Sequence, residues 1–140
     1  FESSSQKGIS PGKLKHRIKK VMWDDVSLFR TGSGLRRALE EVDKMRREDL
    51  PRLCLTTKSR RFNRELLEAL EVENLLMVCE SIIRPAILRE ESRGAHYRTD
   101  YSELDNTNWL RHIAVGLKEG EFRLDFKPVD LSEIKPEEVK

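Results

Sequence analysis

The sequence predicts a mainly α-helical chain: a three-helix bundle, then a long polar loop, then a C-terminal β-hairpin with an extended tail. Two observations carry this. Three stretches repeat apolar residues at three- and four-residue steps, separated by glycine or proline breaks. Near the C-terminus that spacing gives way to strict alternation on both sides of a glycine-containing turn. The chain has 140 residues, one domain's worth, and a domain of that size needs no disulfide or metal staple.

The serine-rich start reads as a linker over residues 1–9, and the chain reads as part of something longer. Ser10-Pro11 then opens the first helix, over about 11–27, with serine at the cap and proline at the first helical position. Leu14, Ile18, Val21, Met22 and Phe29 fall near helical spacing, and Trp23 is expected at the core edge. Thr31-Gly32-Ser33-Gly34 interrupts. The second helix, about 33–48, carries the stripe Leu35, Ala38, Leu39, Val42 and Met45 and stops at Pro51.

The third helix is expected over about 62–92. Phe62, Leu66, Ala69, Val72, Leu75, Leu76, Cys79, Ile82, Ile83, Ala86 and Ile87 line one broad face, and Pro85 should kink the rod. Gly94 is expected to close this helix in the left-handed conformation. The hairpin, about 112–127, alternates Ile113, Val115 and Leu117 on one strand with Phe122, Leu124 and Phe126 on the other. A lone hairpin is marginal in water, so this face must rest on the helices or on another domain. Residues 130–140 read as a loose acidic tail.

Apolar and charged residues each make up 37% of the chain, and the net charge is only +2. That balance is weak ground for nucleic-acid binding, which needs a clustered basic face. Cys54 and Cys79 lack close spacing, and Cys79 reads as a reduced core thiol, which suggests a cytoplasmic chain. No charged-then-apolar leader is visible. The longest apolar run, Leu75 to Cys79, is too short to span a bilayer, so membrane association is expected only through partners.

Three motifs invite chemistry. Val26 to Gly34 imitates a dinucleotide-binding turn, but Arg37 stands where the third glycine belongs, so it reads as an interhelix turn. His96, with Glu91 and Asp100 nearby, has the types for acid–base work, but no second catalytic cluster accompanies it, and a hydrogen-bonded structural histidine is the better reading. His16, His96 and His112 with two cysteines show no metal-ligand spacing. The stretch Glu90 to Tyr101 is too polar for a core and too specific for a spacer. Arg93 and Arg98 can grip carboxylates bidentately, stapling the domain itself, docking another, or both.

Arg89-Glu90-Glu91-Ser92-Arg93-Gly94-Ala95-His96-Tyr97-Arg98-Thr99-Asp100-Tyr101, followed by Asp105, Asn108-Trp109 and His112, resembles the C-terminal signature of the succinate dehydrogenase/fumarate reductase flavoprotein family. That family also includes L-aspartate oxidase and adenylylsulfate reductase. Met22 to Val26, Phe29 to Gly32, Glu71 to Leu75 and Phe122 to Val129 are similar to its other motifs, in order, over about residues 12–129. Two positions depart: Ser102 stands where the family usually has proline, and Pro85 is unusual in the long helix.

The resemblance implies a spectrin-repeat-like helical domain over 10–129 with no catalytic, cofactor-binding or metal residue of its own. FAD would belong to the parent subunit. The implied partners are the preceding FAD-binding and capping domains and an iron–sulfur subunit, peripheral at the cytoplasmic membrane face. The residues expected at the interdomain surface are Glu91, Ser92, Arg93, Gly94, His96, Arg98, Asp100, Tyr101, Asp105, Trp109 and His112. A parent such as L-aspartate oxidase and a free-standing helical adaptor are the alternatives.

Overall fold

In the computed structural model the described residues run from 8 to 133. Most of the expected linker (1–7) and of the expected tail (134–140) lies outside them. Helix α1 (Pro11–Val26) is followed by a two-residue strand β1 (Phe29–Arg30) and by α2 (Gly32–Lys44). A π-turn, Met45–Asp49, and a 3-10 turn, Leu50–Arg52, lead through an irregular connection to α3 (Arg64–Leu88). Then come β2 (Tyr97–Arg98), a single helical turn α4 (Asn106–Trp109), and the hairpin strands β3 (Arg111–Lys118) and β4 (Glu121–Pro128).

The three long helices pack on one another, and the expected stripes supply the core. Leu14 and Ile18 of α1, Leu35, Ala38 and Val42 of α2, and Val72, Leu76 and Ile83 of α3 are all buried. Each fully buried leucine or isoleucine contributes on the order of 1.5–3 kcal/mol relative to exposure. Ile9 and Leu53 bridge in parallel, with Ile9 N–H donating to Arg52 O and Cys54 N–H to Ile9 O, both at 3.0 Å, so the entry to α1 is tied to the irregular connection.

β3 and β4 pair antiparallel with Ile113 opposite Phe126, Val115 opposite Leu124 and Leu117 opposite Phe122. Glu119 and Gly120 both have positive φ, at 55° and 83°, the geometry that lets a two-residue turn match strand twist. The apolar face leans on the end of α3: the Arg84 guanidinium sits 5.8 Å from the Phe122 ring centroid, and Trp109 meets Phe126 edge-on at 6.1 Å. Val115, Leu117 and Phe126 nonetheless stay exposed.

Several expectations need correction. Ser10 stands at the N-cap of α1, but its hydroxyl makes no capping bond; Pro11 does the work of starting the helix. Trp23 is 75% exposed rather than at the core edge, and Phe29 is exposed because it belongs to β1, not to α1. Phe62 precedes α3 with φ of 52° and is exposed; Asn63 is the cap, its side chain accepting from Leu66 N–H. Ile82 also faces outward.

The second helix leaves α geometry at Lys44, because the π-turn widens its last stretch. The third passes through Pro85 but ends at Leu88, short of the expected Ser92, where Arg89 turns extended with ψ of 107°. Gly94 is therefore no helix cap. Its φ of 57° serves a tight reversal in which Arg93 and His96 exchange both backbone hydrogen bonds.

Leu76→Ala removes a side chain with no exposed surface at the centre of α3. It is expected to lower unfolding free energy by about 2–5 kcal/mol in urea titration, whereas Phe62→Ala should change it by less than about 0.5 kcal/mol.

Candidate functional site

The polar stretch after α3 closes over the end of the bundle where α1 stops, α2 starts and α3 stops. Each helix terminus leaves backbone groups without helical partners, and three side chains meet them. Arg98, 2% exposed, donates from Nη1 to the carbonyls of Ala86, Ile87 and Arg89 at 3.0, 3.3 and 3.1 Å, closing the end of α3. Its Nε and Nη2 hold Asp100 bidentately at 2.8 and 2.9 Å. Asp100 Oδ2 in turn accepts from Gly32 N–H, the first residue of α2, at 2.8 Å. A carboxylate at a helix N-terminus and a guanidinium at a C-terminus both oppose the end charges of the helix dipoles.

Arg30 completes the set. Its Nε donates to Val26 O and Ser27 O at 2.8 and 3.1 Å, capping α1, and its Nη1 donates to His96 Nδ1 at 2.8 Å. Since Arg30 can only donate, His96 Nδ1 is the acceptor, and Nε2 carries the proton toward Arg89 O at 3.3 Å. β1 and β2 pair in parallel across the same junction, Phe29 beside Tyr97 and Arg30 beside Arg98. Thr31 Oγ1 caps α2 by accepting from Gly34 N–H at 3.0 Å.

Glu91 organises the second half of the site. Its side chain is fully buried. Arg89 pairs with it closely; Arg93 reaches it at 2.8 and 3.0 Å, and the Asp105 amide at 2.9 Å. Arg93 also donates to Asn106 at 2.8 Å. Ser92 Oγ accepts from Arg98 N–H at 2.9 Å and donates to Tyr101 O at 2.8 Å. Asp105 caps α4 by accepting from Asn108 N–H at 2.9 Å. Trp109 lies under two guanidinium groups, with Arg89 at 5.6 Å and Arg111 at 5.0 Å from its ring. The Tyr101 ring lies 4.9 Å from the Arg98 guanidinium carbon. His112 points away on exposed β3, opposite Lys127, and does not join the cluster.

The titrations follow from these contacts. The Arg98 bond holds the Asp100 carboxyl well below the usual carboxylate range, helped by the Gly32 amide. Burial alone would raise Glu91, but the bonds from Arg93, the Asp105 amide and Arg89 outweigh it and hold it below its ordinary value. His96 is pushed below its ordinary value first by burial and then by Arg30, Arg98 and Arg89 around it. A neutral histidine whose free lone pair is already taken by an arginine is a brace rather than a proton shuttle. Among the described residues no group of three or more His, Cys, Asp or Glu side chains could hold a metal ion.

Sequence reasoning brought the right stretch forward and quoted Arg30, Gly32 and Arg89 inside its motifs, but named none of them, nor Arg111, as a site residue. A Cβ on Gly32 would lie 3.0 Å from Arg98 Nη2 and 3.1 Å from Asp100 Oδ2, so the glycine of the interhelix turn is there to let this ion pair approach α2. The signal was the Phe29-Arg30-Thr31-Gly32 motif itself. An arginine and a glycine flanking a cap residue say that something charged comes close, but not from where.

Glu91→Ala strands two arginines and an amide, and is expected to cost about 3–5 kcal/mol of unfolding free energy in urea titration. His96 predicts a pH dependence. Its folded value lies below the ordinary 6.5, so the unfolded chain binds the extra proton first. Its contribution to stability is complete above about pH 6.5 and is lost as pH falls from there through the folded value. His96→Gln should flatten that part of a melting-temperature profile between about pH 7 and 5.

Residues 15–140 match the family model described as "Fumarate reductase flavoprotein C-term". The succinate dehydrogenase flavoprotein subunit of Coxiella burnetii is 38% identical over 122 residues, covering 87% of this chain and 20% of that protein. The fumarate reductase flavoprotein subunit of Haemophilus influenzae is 31% identical over 124 residues, covering 88% and 20%. The fold superposes on E. coli quinol fumarate reductase with a TM-score of 0.85 at 27% identity, covering 94% of this chain and 23% of that one. It also superposes on an adenosine-5-phosphosulfate reductase in complex with sulfite, with a TM-score of 0.78 at 26% identity, covering 89% and 20%. The chain spans about a fifth of the length of the curated relatives it matches. It belongs to the succinate dehydrogenase/fumarate reductase flavoprotein family, as the C-terminal domain of such a flavoprotein.

Proposed function

We propose that this domain is a non-catalytic brace in a succinate dehydrogenase or fumarate reductase flavoprotein subunit. It supports the FAD-binding and capping domains that precede it and helps form the face turned to an iron–sulfur partner. The whole subunit would interconvert succinate and fumarate and pass electrons from FAD to the iron–sulfur partner. Any association with the membrane would run through partner subunits; among the described residues no helix is long and apolar enough to cross one.

The observation that carries this reading is how the signature residues are engaged. Glu91, Arg98 and His96 direct their polar atoms to helix ends and loops of this chain. The glycine-turn amide that could meet a phosphate, Gly32 N–H, already serves Asp100. These engagements support the bracing role and leave the flavin chemistry to the preceding domains. Arg93, with a third of its side chain exposed, and the exposed Tyr101 and His112 keep surface that a neighbour can meet.

In the full-length subunit, Arg93→Ala is expected to reduce bound flavin per chain and recovery of the iron–sulfur partner, with helical content retained by circular dichroism. Wild-type flavin content, melting temperature and partner recovery together would overturn the bracing role.

A further inference from the structure

The connection from α2 to α3 forms neither helix nor strand from 54 to 63, and every residue from 56 to 62 is exposed. That exposed segment holds Lys58, Arg60 and Arg61 and no acidic residue. None of the three has a carboxylate partner among the described residues. The remaining basic residues of the described chain lie in helices or strands, or, like Arg89 and Arg93, are held in ion pairs with Glu91. Phe62 closes the segment with its ring in solvent and its φ at 52°, a left-handed conformation that bulky side chains disfavour. Exposed loops of polar residues are where native chains are nicked. An arginine side chain is what the acidic S1 pocket of a trypsin-like protease takes.

One side chain holds this loop shut. Asn63, 9% exposed, accepts from Leu66 N–H at 3.1 Å through Oδ1 and so caps α3. Its Nδ2 donates back to the carbonyls of Thr57 and Ser59, at 3.2 and 2.7 Å. The bonds of the Ser59 hydroxyl and amide stay local, to Arg61 and Thr57. Below the loop, Thr56 N–H and Oγ1 donate to the Glu65 carboxylate at 2.6 and 3.0 Å and pin the stem. Among the described residues, segment 57–62 therefore opens by releasing the two Asn63 bonds, with the core untouched. Opening also lets Phe62 leave its strained conformation.

We propose that Lys58 to Phe62 is a cleavage site for a trypsin-like endoprotease, latched by Asn63, and that the cut leaves the domain in one piece. The inference goes beyond the bracing role and does not depend on it. Hydrolysis of the Arg61–Phe62 bond gives the hydroxyl of water to the Arg61 carbonyl carbon and the proton to the Phe62 nitrogen. The core does not hang on that bond, because its side chains come from both sides: Leu14, Leu35 and Val42 before it, Val72, Leu76 and Ile83 after it. The polar junction also spans the cut. Asp100 accepts from Gly32 N–H at 2.8 Å, and Thr99 N–H donates to Arg30 O at 2.9 Å. Asn63 stays with α3 as its cap, and the Ile9–Leu53 bridge stays whole on the first fragment.

Brief trypsin treatment of the full-length subunit tests this, with cut positions read by mass spectrometry and the fragments run on native gel filtration. Within residues 8–133 the first cuts are expected after Lys58, Arg60 or Arg61, with the two fragments co-eluting until denaturant is added. Asn63→Asp keeps the oxygen that caps Leu66 and loses both donations. That loop should be cut about fivefold faster or more, at an unchanged melting temperature. Lys58→Gln with Arg60→Gln and Arg61→Gln should abolish the fragment pair. A first cut elsewhere within 8–133, or none there, would overturn the site. Fragments that part without denaturant would overturn the claim that the cut domain holds together. Loop cleavage at the wild-type rate in Asn63→Asp would overturn the latch. Should that variant melt earlier, cleavage after Lys118 at the hairpin turn is the reference, since general loosening speeds both. Loop cleavage that rises no more than the reference overturns the latch as well. None of these readouts involves flavin or the iron–sulfur partner, so the cleavage site and the bracing role are judged separately.

Discussion

The Arg98–Asp100 pair is the contact on which the rest of the domain is arranged. Two residues apart in sequence, they join the C-terminal end of α3 to the N-terminal end of α2. The guanidinium takes three carbonyls that α3 leaves open, and the carboxylate takes an amide that α2 leaves open. Each charge sits at the helix end whose partial charge it opposes. The pair needs Gly32, where a Cβ would crowd Arg98 and Asp100, and the reversal at Gly94, whose φ of 57° is a conformation that side chains disfavour although open space surrounds it.

Such a junction favours one arrangement more than it adds stability. Taking Arg98 and Glu91 out of water is costly, and hydrophobic residues of similar volume could fill the space without that cost. What apolar residues could not do is supply directional bonds that fix three helix ends, β2 and α4 relative to one another. Arg30 and His96 extend the same logic: one arginine caps α1 and sets the tautomer of the histidine lying against the start of the signature. A segment so rich in ionisable residues can therefore be structural. The lone pairs and protons of Glu91, His96, Arg98 and Asp100 are already engaged.

Helix α3 differs between its two faces. The inner face is ordinary bundle core. The outer face, the groove beside Trp23 and the exposed side of the hairpin all leave apolar surface open. Tied helix ends and open apolar surface both suit the supporting role proposed above.

From the residues alone, the fold class, the three core stripes and the hairpin could be read, because each rests on a local periodicity of about 3.6 or two. The importance of the segment from Glu90 to Tyr101 was also visible, since its composition suits neither core nor linker. The end of α3 was not. Leu88 to Ser92 has no strong breaker, and where the helix stops Arg98, well beyond it in sequence, meets its last carbonyls. Trp23, Phe62 and Ile82 fit a helical spacing or adjoin one, and spacing cannot say which of two apolar sides faces the bundle. The roles of Arg30 and Gly32 were equally hidden. Their partners lie 66 and 68 residues away, and only the packing of three helix ends brings them together.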